Sequence, residues 1–337
     1  MQKTTLLTNP WVSCLLLCTL FMSRVNAADI EQRPELRAFI DEMVQRHSFD
    51  RTELTDLFTQ VEIKPAIIEA IRSPAEKKPW RDYRPIFVNS SRISAGVEFW
   101  NTHAQILARA ERVYGVAPEI IVAIIGVETR YGKNTGSYRV LDALTTLAFD
   151  YPERSTFFRT ELEHYLLLAR EEHLDPVLPK GSYAGAMGVP QFISSSYRRY
   201  AVDFDNDGRR DLWGDIDDVI GSVANYLSVF GWQPGAPVVS RARVSGEKYN
   251  LLLDAGLKPE LSLDQLQHYG VSLDDANLPS APKASSARGA LITLEGDDGT
   301  QYWVGMQNFY SITRYNISAL YAMAVYQLSQ EIKAQRQ

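Results

Sequence analysis

Glu128 is the residue whose setting most invites chemistry. It lies near the end of the run Ile120-Ile-Val-Ala-Ile-Ile-Gly-Val-Glu-Thr-Arg-Tyr-Gly132, where it follows Ile121, Ile124 and Ile125 by seven, four and three residues and continues their helical stripe. Burial and the negative end of the helix dipole both disfavour its ionised form. A carboxyl kept protonated near neutral pH is what a general acid requires. The same residues also permit a plainer role, an ion pair with Arg130 or a cap at the helix rim.

Two further stretches could hold a ligand. Asp203-Phe-Asp205-Asn-Asp207-Gly208-Arg-Arg-Asp211 carries acids at alternate positions with glycine after the third, the opening of an EF-hand-type calcium loop. Gly214 stands where the closing bidentate Glu of such a loop belongs. Asp217 or Asp218, just before a helix expected over Val219–Phe230, can close a lengthened loop around Ca2+. A solvated turn capping that helix is the alternative. Gly181 to Ile193 reads Gly-Ser-Tyr-Ala-Gly-Ala-Met-Gly-Val-Pro-Gln-Phe-Ile, small residues interleaved with Met187, Gln191 and Phe192. That composition suits close approach of a ligand, or equally a tight helix–helix contact.

The elements that must position these residues are mostly helical. Pro118 suits the first turn of the Glu128 helix and Gly132 its end. Short amphipathic helices are expected between Arg33 and Ile71, an irregular strap over Pro74–Asn89, and one long helix from Ile93 to Tyr114 stopped by Gly115. Helices follow near Val140–Phe149, Ser155–Glu172 and Ile317–Ile332. Between Gly235 and Phe309 the pattern changes: Val238–Val244 alternates like a strand, Ser262–Tyr269 reads as helix, and Pro279–Arg288 as a linker. Leu291–Leu294 and Tyr302–Val304 flank a turn as a hairpin.

With 337 residues, 45% of them hydrophobic, the chain can bury a full core. A formal charge of −6 and the absence of a Lys/Arg block exclude a nucleic-acid binder. Residues 1–27 read as a secretory signal, with Lys3 before the apolar run Trp11–Met22 and small residues around Val25-Asn26-Ala27. Their removal takes away Lys3 and Arg24 and no acid, so the charge goes from −6 to −8. Cys14 and Cys18 both fall in the signal, and Leu17 disfavours lipid attachment at Cys18. The expected product is a soluble periplasmic protein without disulfides, rather than an outer-membrane lipoprotein.

Taken together, Gly126-Val-Glu128-Thr-Arg-Tyr-Gly132, Gly185-Ala-Met-Gly-Val-Pro-Gln-Phe192, the acidic loop from Asp203, and Ile312-Thr-Arg-Tyr-Asn316 resemble the membrane-bound lytic murein transglycosylase B family, including its soluble members. The resemblance covers nearly all of the chain after residue 27 and keeps the motif order. It implies a mainly α protein: a lysozyme-like helical catalytic core over 116–234, an N-terminal helical lobe over 28–115, a small inserted α+β lobe over 235–309, and a returning C-terminal helix over 310–337. It also implies cleavage of the bond between N-acetylmuramic acid and N-acetylglucosamine in peptidoglycan, leaving 1,6-anhydro ends, with Glu128 as the single acid/base. Ser182, Met187, Gln191, Phe192, Tyr226, Tyr315, Asn316 and Tyr321 match groove positions, and Arg154 matches an arginine that contacts saccharide or stem peptide. Glu153 stands where relatives often carry a second arginine. Asp203, Asp205 and Asp207 match calcium ligands, with Arg209 giving its backbone carbonyl. The implied partners are glycan strands and stem peptides, with wall-synthesis or hydrolase complexes as further candidates, and no organic cofactor.

A glycosidase that uses water normally needs two carboxylates, and no convincing second one stands beside these motifs. The expectation is that Glu128 protonates the leaving oxygen while the substrate acetamido group stabilises the cationic carbon, and that the Glu128 carboxylate then takes the proton of the closing C6 hydroxyl. Phe192, Tyr226, Tyr315 and Tyr321 are the candidates to stack on sugars, Gln191 and Asn316 to hydrogen-bond them, and Tyr315 to steer Glu128 through its hydroxyl. The competing readings are a hydrolytic muramidase and a calcium-stabilised wall-binding protein without turnover.

Overall fold

The computed structural model describes residues 32–72, 78–274 and 287–337. The signal reading and most of the Pro279–Arg288 linker fall outside the described residues. The chain opens with α1 (Pro34–His47), α2 (Arg51–Thr59) and α3 (Pro65–Ile71), then α4 (Trp80–Phe87), α5 (Ser90–Thr102), α6 (Ala104–Tyr114) and the Glu128 helix α7 (Pro118–Thr129). After β1 (Tyr138–Arg139) come α8 (Val140–Asp150), α9 (Ser155–Glu171), β2 (Lys180–Gly181), α10 (Ser194–Tyr200) and α11 (Ile216–Val229).

Two expectations need correction. The strap over Pro74–Asn89 contains helix α4, because Trp80 and Tyr83, three residues apart, are buried together and that burial outweighs the internal Pro85. The single helix expected over Ile93–Tyr114 is two, broken at His103 (φ −110°, ψ 26°). The apolar spacing runs on across that break, which is why periodicity alone hides it.

Helix α7 is the hub. All of its twelve residues are buried except Glu128. Burial of each Ile or Val side chain is worth roughly 1.5–3 kcal/mol, and the lone buried acid of the first turn, Glu119, is answered by Lys333 Nζ at 2.7 Å. The closing helix α14 (Ala319–Arg336) packs along α7, as do α5, α6 and α11. Helices α1–α3 lie instead by α8 and α9, where Arg33 pairs with Asp150 at 3.2 Å and the Glu62 N–H donates to the buried Asp142 Oδ1 at 2.9 Å. One hydrophobic core runs through both groups.

The stretch that breaks the helical pattern builds a five-stranded antiparallel sheet. Its strands are β3 (Val239–Val244), β4 (Leu261–Ser262), β5 (Val271–Leu273), β6 (Arg288–Gly296) and β7 (Gly299–Gly305), in the order β4-β6-β7-β3-β5, with α12 (Leu263–His268) between β4 and β5. The expected hairpin is β6–β7, in register from Ala290 opposite Gly305 to Gly296 opposite Gly299. Alternation divides its faces. Ile292 and Leu294 join the main core, while Leu291, Val304 and Ala242 form a second, smaller core with Leu266 and Val271. Helix α13 (Gln307–Thr313) then returns the chain to the helical body. Among the described residues no helix is long and apolar enough to cross a membrane.

Candidate active site

Helix α7 ends at Thr129 because Arg130 and Tyr131 both turn left-handed, at φ 52° and 61°, ahead of Gly132 at φ 83°. Two successive non-glycine residues in that region are strained, and such strain persists only where the surroundings over-determine it. The surroundings here are specific. Tyr131 donates its hydroxyl to the Arg92 carbonyl at 2.9 Å, and buried Thr129 donates its hydroxyl to the Val189 carbonyl at 2.8 Å while accepting the Gly132 N–H at 3.0 Å. A Cβ at Gly126 or at Gly96 would stand 2.5 Å from the Tyr131 hydroxyl, so both glycines make room for it. Glu128 is thereby held one residue before Thr129 and three before Tyr131.

Glu128 is half-buried. Its Oε1 accepts the Tyr321 hydroxyl at 2.5 Å, and desolvation pushes its carboxyl from the ordinary 4.5 up to about 7, against a smaller lowering by the Tyr321 bond. Arg130 forms no ion pair with it, which removes one of the two plainer roles for this acid. Among the described residues, no second carboxylate acts on Glu128. The residue that orients the acid is thus Tyr321, from the first turn of α14, and not Tyr315. The Tyr315 hydroxyl is spent on the Pro190 carbonyl at 2.6 Å, because α13 and the loop after it press that ring against the Gly185–Phe192 segment.

The sequence candidates converge unevenly. Phe192, Tyr226, Tyr315 and Tyr321 form a continuous aromatic file: ring centroids are 5.5 Å apart for Phe192–Tyr226, 4.9 Å for Tyr226–Tyr315 and 6.5 Å for Tyr315–Tyr321, the last pair nearly parallel at 12°. Phe192, Tyr226 and Tyr321 keep only 2%, 7% and 3% of their surface, and Tyr226 donates to the Arg314 carbonyl at 2.6 Å. Met187 is wholly buried and bridges Gly181 and Phe192 through its backbone. These residues build the wall behind Glu128, whereas Gln191, Tyr315, Asn316 and Ser182 are half-buried and retain surface. Gln191, left-handed at φ 54°, donates its Nε2 to the Thr135 and Gly188 carbonyls at 3.0 and 2.9 Å. Ser182 Oγ accepts the N–H groups of Ala184 and Ala186 at 3.2 and 3.0 Å, which leaves its own hydrogen for a ligand.

The small residues of this segment serve neither a helix–helix contact nor ligand approach alone. They let backbone meet backbone: a Cβ at Gly181 would stand 2.1 Å from the Ala186 carbonyl oxygen, and one at Gly188 2.4 Å from that of Leu212. Arg154 forms no hydrogen bond or ion pair with the Glu128 group. It is exposed on a single 3-10 turn, with its guanidinium over the rings of Phe157 and Phe158 at 4.4 and 5.2 Å, while Glu153 pairs with Arg72 at 3.1 Å.

In the acidic loop, Asp203, Asp205 and Asp218 bring carboxylate oxygens within 4.8 Å of one another. Gly208 at φ 91° makes the turn. Asp218, buried in the first turn of α11, accepts the N–H groups of Phe204 and Asp211 at 2.6 and 2.7 Å, and burial pushes its carboxyl up to about 6, with Asp215 and Asp205 adding repulsion. Asp217 does not join the cluster of three; its N–H donates to the Asp215 cap, and burial and the Asp215 charge both raise its carboxyl. Asp207 accepts the Arg209 N–H at 2.8 Å and is outside the cluster of three. Hard oxygen donors around a flexible glycine turn fit Ca2+.

Comparisons with known proteins place the chain in a family. The transglycosylase SLT domain family matches residues 31–330. The membrane-bound lytic murein transglycosylase B of Escherichia coli (strain K12) is 43% identical over 318 residues, covering 91% of this chain and 85% of the relative. Among solved structures, the soluble lytic transglycosylase SltB1 from Pseudomonas aeruginosa shares 51% identity with a TM-score of 0.83, over 90% of this chain and 99% of that one. The Escherichia coli lytic transglycosylase Slt35 in complex with calcium shares 44% identity with a TM-score of 0.82, over 91% and 95% of the two chains.

Proposed function

The chain belongs to the transglycosylase SLT family, and from that premise we infer how it works: it is a peptidoglycan lytic transglycosylase that uses Glu128 first as acid and then as base. The observation that carries this reading is a single carboxyl that burial pushes up to about 7, hydrogen-bonded by Tyr321, with no second carboxylate acting on it among the described residues. Glu128 protonates the oxygen leaving between N-acetylmuramic acid and N-acetylglucosamine. The acetamido group of the substrate stabilises the cationic carbon, and the newly formed Glu128 carboxylate removes the proton of the C6 hydroxyl as that oxygen closes onto C1. Water is not consumed.

The Tyr321 bond suits both halves of the cycle. Its hydroxyl steadies the carboxylate produced by the first proton transfer, while burial keeps the group basic enough to accept the second proton. Ser182, Gln191, Tyr315 and Asn316 are assigned to hold sugars, with Met187, Phe192 and Tyr226 as the packed wall that fixes them. Arg154, exposed on its 3-10 turn, is assigned to saccharide or stem peptide.

The calcium in the Slt35 complex and the carboxylate cluster of this chain support a structural Ca2+ held by Asp203, Asp205 and Asp218, with Asp207 and the Arg209 carbonyl as further ligands once the ion draws the loop in. Residues 1–27 are assigned to export into the periplasm.

Mass spectrometry of products released from purified peptidoglycan tests the reaction. Muropeptides one water lighter than hydrolysed ones establish the transglycosylase; ordinary reducing ends would require a hydrolase and a second carboxylate.

A further inference from the structure

A pocket of about 320 Å³ lies at the turn that ends α7, and its lining includes Asn89, Ser91, Arg92, Arg130, Tyr131 and Lys133. Three of these are cations, and no Asp or Glu lines it. Arg92 keeps only 7% of its surface, yet its Nη1 is buried with no hydrogen-bond partner, and among the described residues it forms no salt bridge. The ring of Phe87, 5.1 Å from its guanidinium carbon, is a weak substitute for an anion.

Leaving a buried guanidinium nitrogen without a partner is unfavourable, and a neighbouring like charge adds to that cost. Burial and Arg130 accordingly both lower the proton affinity of Arg92. Helix α5 adds a further positive pole: it begins here, with Asn89 capping the Arg92 N–H at 3.1 Å. The charged side chains that line the pocket are all cationic, and Tyr131 and the C-terminal pole of α7 oppose them only in part, so the pocket is set to take an anion that its own lining does not supply.

The position of the pocket says which anion. Arg130 is two residues beyond Glu128, and Tyr131 connects the Arg92 carbonyl to the same turn. On the transglycosylase reading, a strand reacting at Glu128 carries its side branches close to this turn. We propose that Arg92, Arg130 and Lys133 bind a carboxylate of the stem peptide on the peptidoglycan strand being cut. This assignment rests on the transglycosylase reading above. Guanidinium and carboxylate are matched in geometry for paired hydrogen bonds, and Arg92 is held in place before the substrate arrives.

The test is calorimetric titration of the full chain with a soluble muropeptide bearing free stem-peptide carboxylates and with the same muropeptide after amidation. The wild type is expected to bind the free acid at least tenfold more tightly, and R92Q to lose that preference. Because R92Q alters a buried site, K133Q and R130Q serve as surface variants and are expected to reduce the preference several-fold each. Equal binding of the two muropeptides by the wild type overturns the proposal. So does binding of inorganic phosphate that R92Q abolishes while muropeptide binding stays unchanged. The parent reading is scored separately by 1,6-anhydro ends released from peptide-free strands: their absence in the wild type counts against the transglycosylase, and their presence without a carboxylate preference counts against the pocket alone.

Discussion

The Tyr321 hydroxyl donates to Glu128 Oε1 at 2.5 Å, across 193 residues of sequence. That bond favours the ionised carboxyl and so lowers a value that burial has raised. Tyr321→Phe should therefore push the Glu128 value higher still. The alkaline limb of kcat/KM, expected near pH 7 in the wild type, should move upward in the variant, and kcat should fall about tenfold or more as the carboxylate loses its orienting partner. A pH–rate profile of anhydro-product release checks both, and an unmoved limb would detach Tyr321 from the acid.

Glu128→Gln should abolish turnover, with a loss on the order of 10² to 10⁴-fold in rate, and it should also change stability. The folded value of about 7 lies above the ordinary 4.5, so between these pH values the folded state holds more proton than the unfolded one. The contribution of Glu128 is complete below about pH 4.5 and is lost as pH rises through about 7. At pH 8 the Gln variant should be more stable than the wild type by on the order of 2 kcal/mol, discounted for the side of Glu128 that faces solvent, and at pH 4 the gap should close. Thermal unfolding at the two pH values measures it; parallel curves would deny Glu128 this role.

Calcium should raise the melting temperature of the full chain. An ion at a hundred times its dissociation constant stabilises by roughly 2.7 kcal/mol. Asp218→Asn should erase that increment because Asp218 belongs to the carboxylate cluster, whereas Asp217→Asn should keep it. Differential scanning calorimetry with calcium and with chelator distinguishes them, and the opposite pattern would move the closing ligand to Asp217.

Gly126→Ala places a carbon 2.5 Å from the Tyr131 hydroxyl and 2.6 Å from its Cζ, inside the packed α5–α7 contact. The expected cost is about 1–3 kcal/mol, accompanied by reduced activity as the clamp behind Glu128 shifts. Urea unfolding and product release on the same preparation should fall together.

Legibility in the sequence follows the range of the interactions involved. Helix α7 was readable because an almost wholly apolar segment ending in one acid is informative by itself. Strands β6 and β7 were readable because their alternation flanks a short turn. The break at His103 was not, since the apolar spacing continues through it, and neither was α4, whose Trp80 and Tyr83 are recruited by tertiary burial. Nothing near Glu128 announces Tyr321, or the fit of Tyr131 between Gly96 and Gly126, because each joins residues remote in sequence. That Asp218, and not Asp217, clusters with Asp203 and Asp205 depends on the direction in which each side chain leaves its helix.

The placement of Tyr321 on α14 bears on when the protein can first act. A nascent polypeptide long enough to contain Glu128 still lacks the hydroxyl that orients it and the helix that packs along α7. A ribosome that has not yet passed Tyr321 has made neither, so the setting of Glu128 is completed only when synthesis is nearly finished.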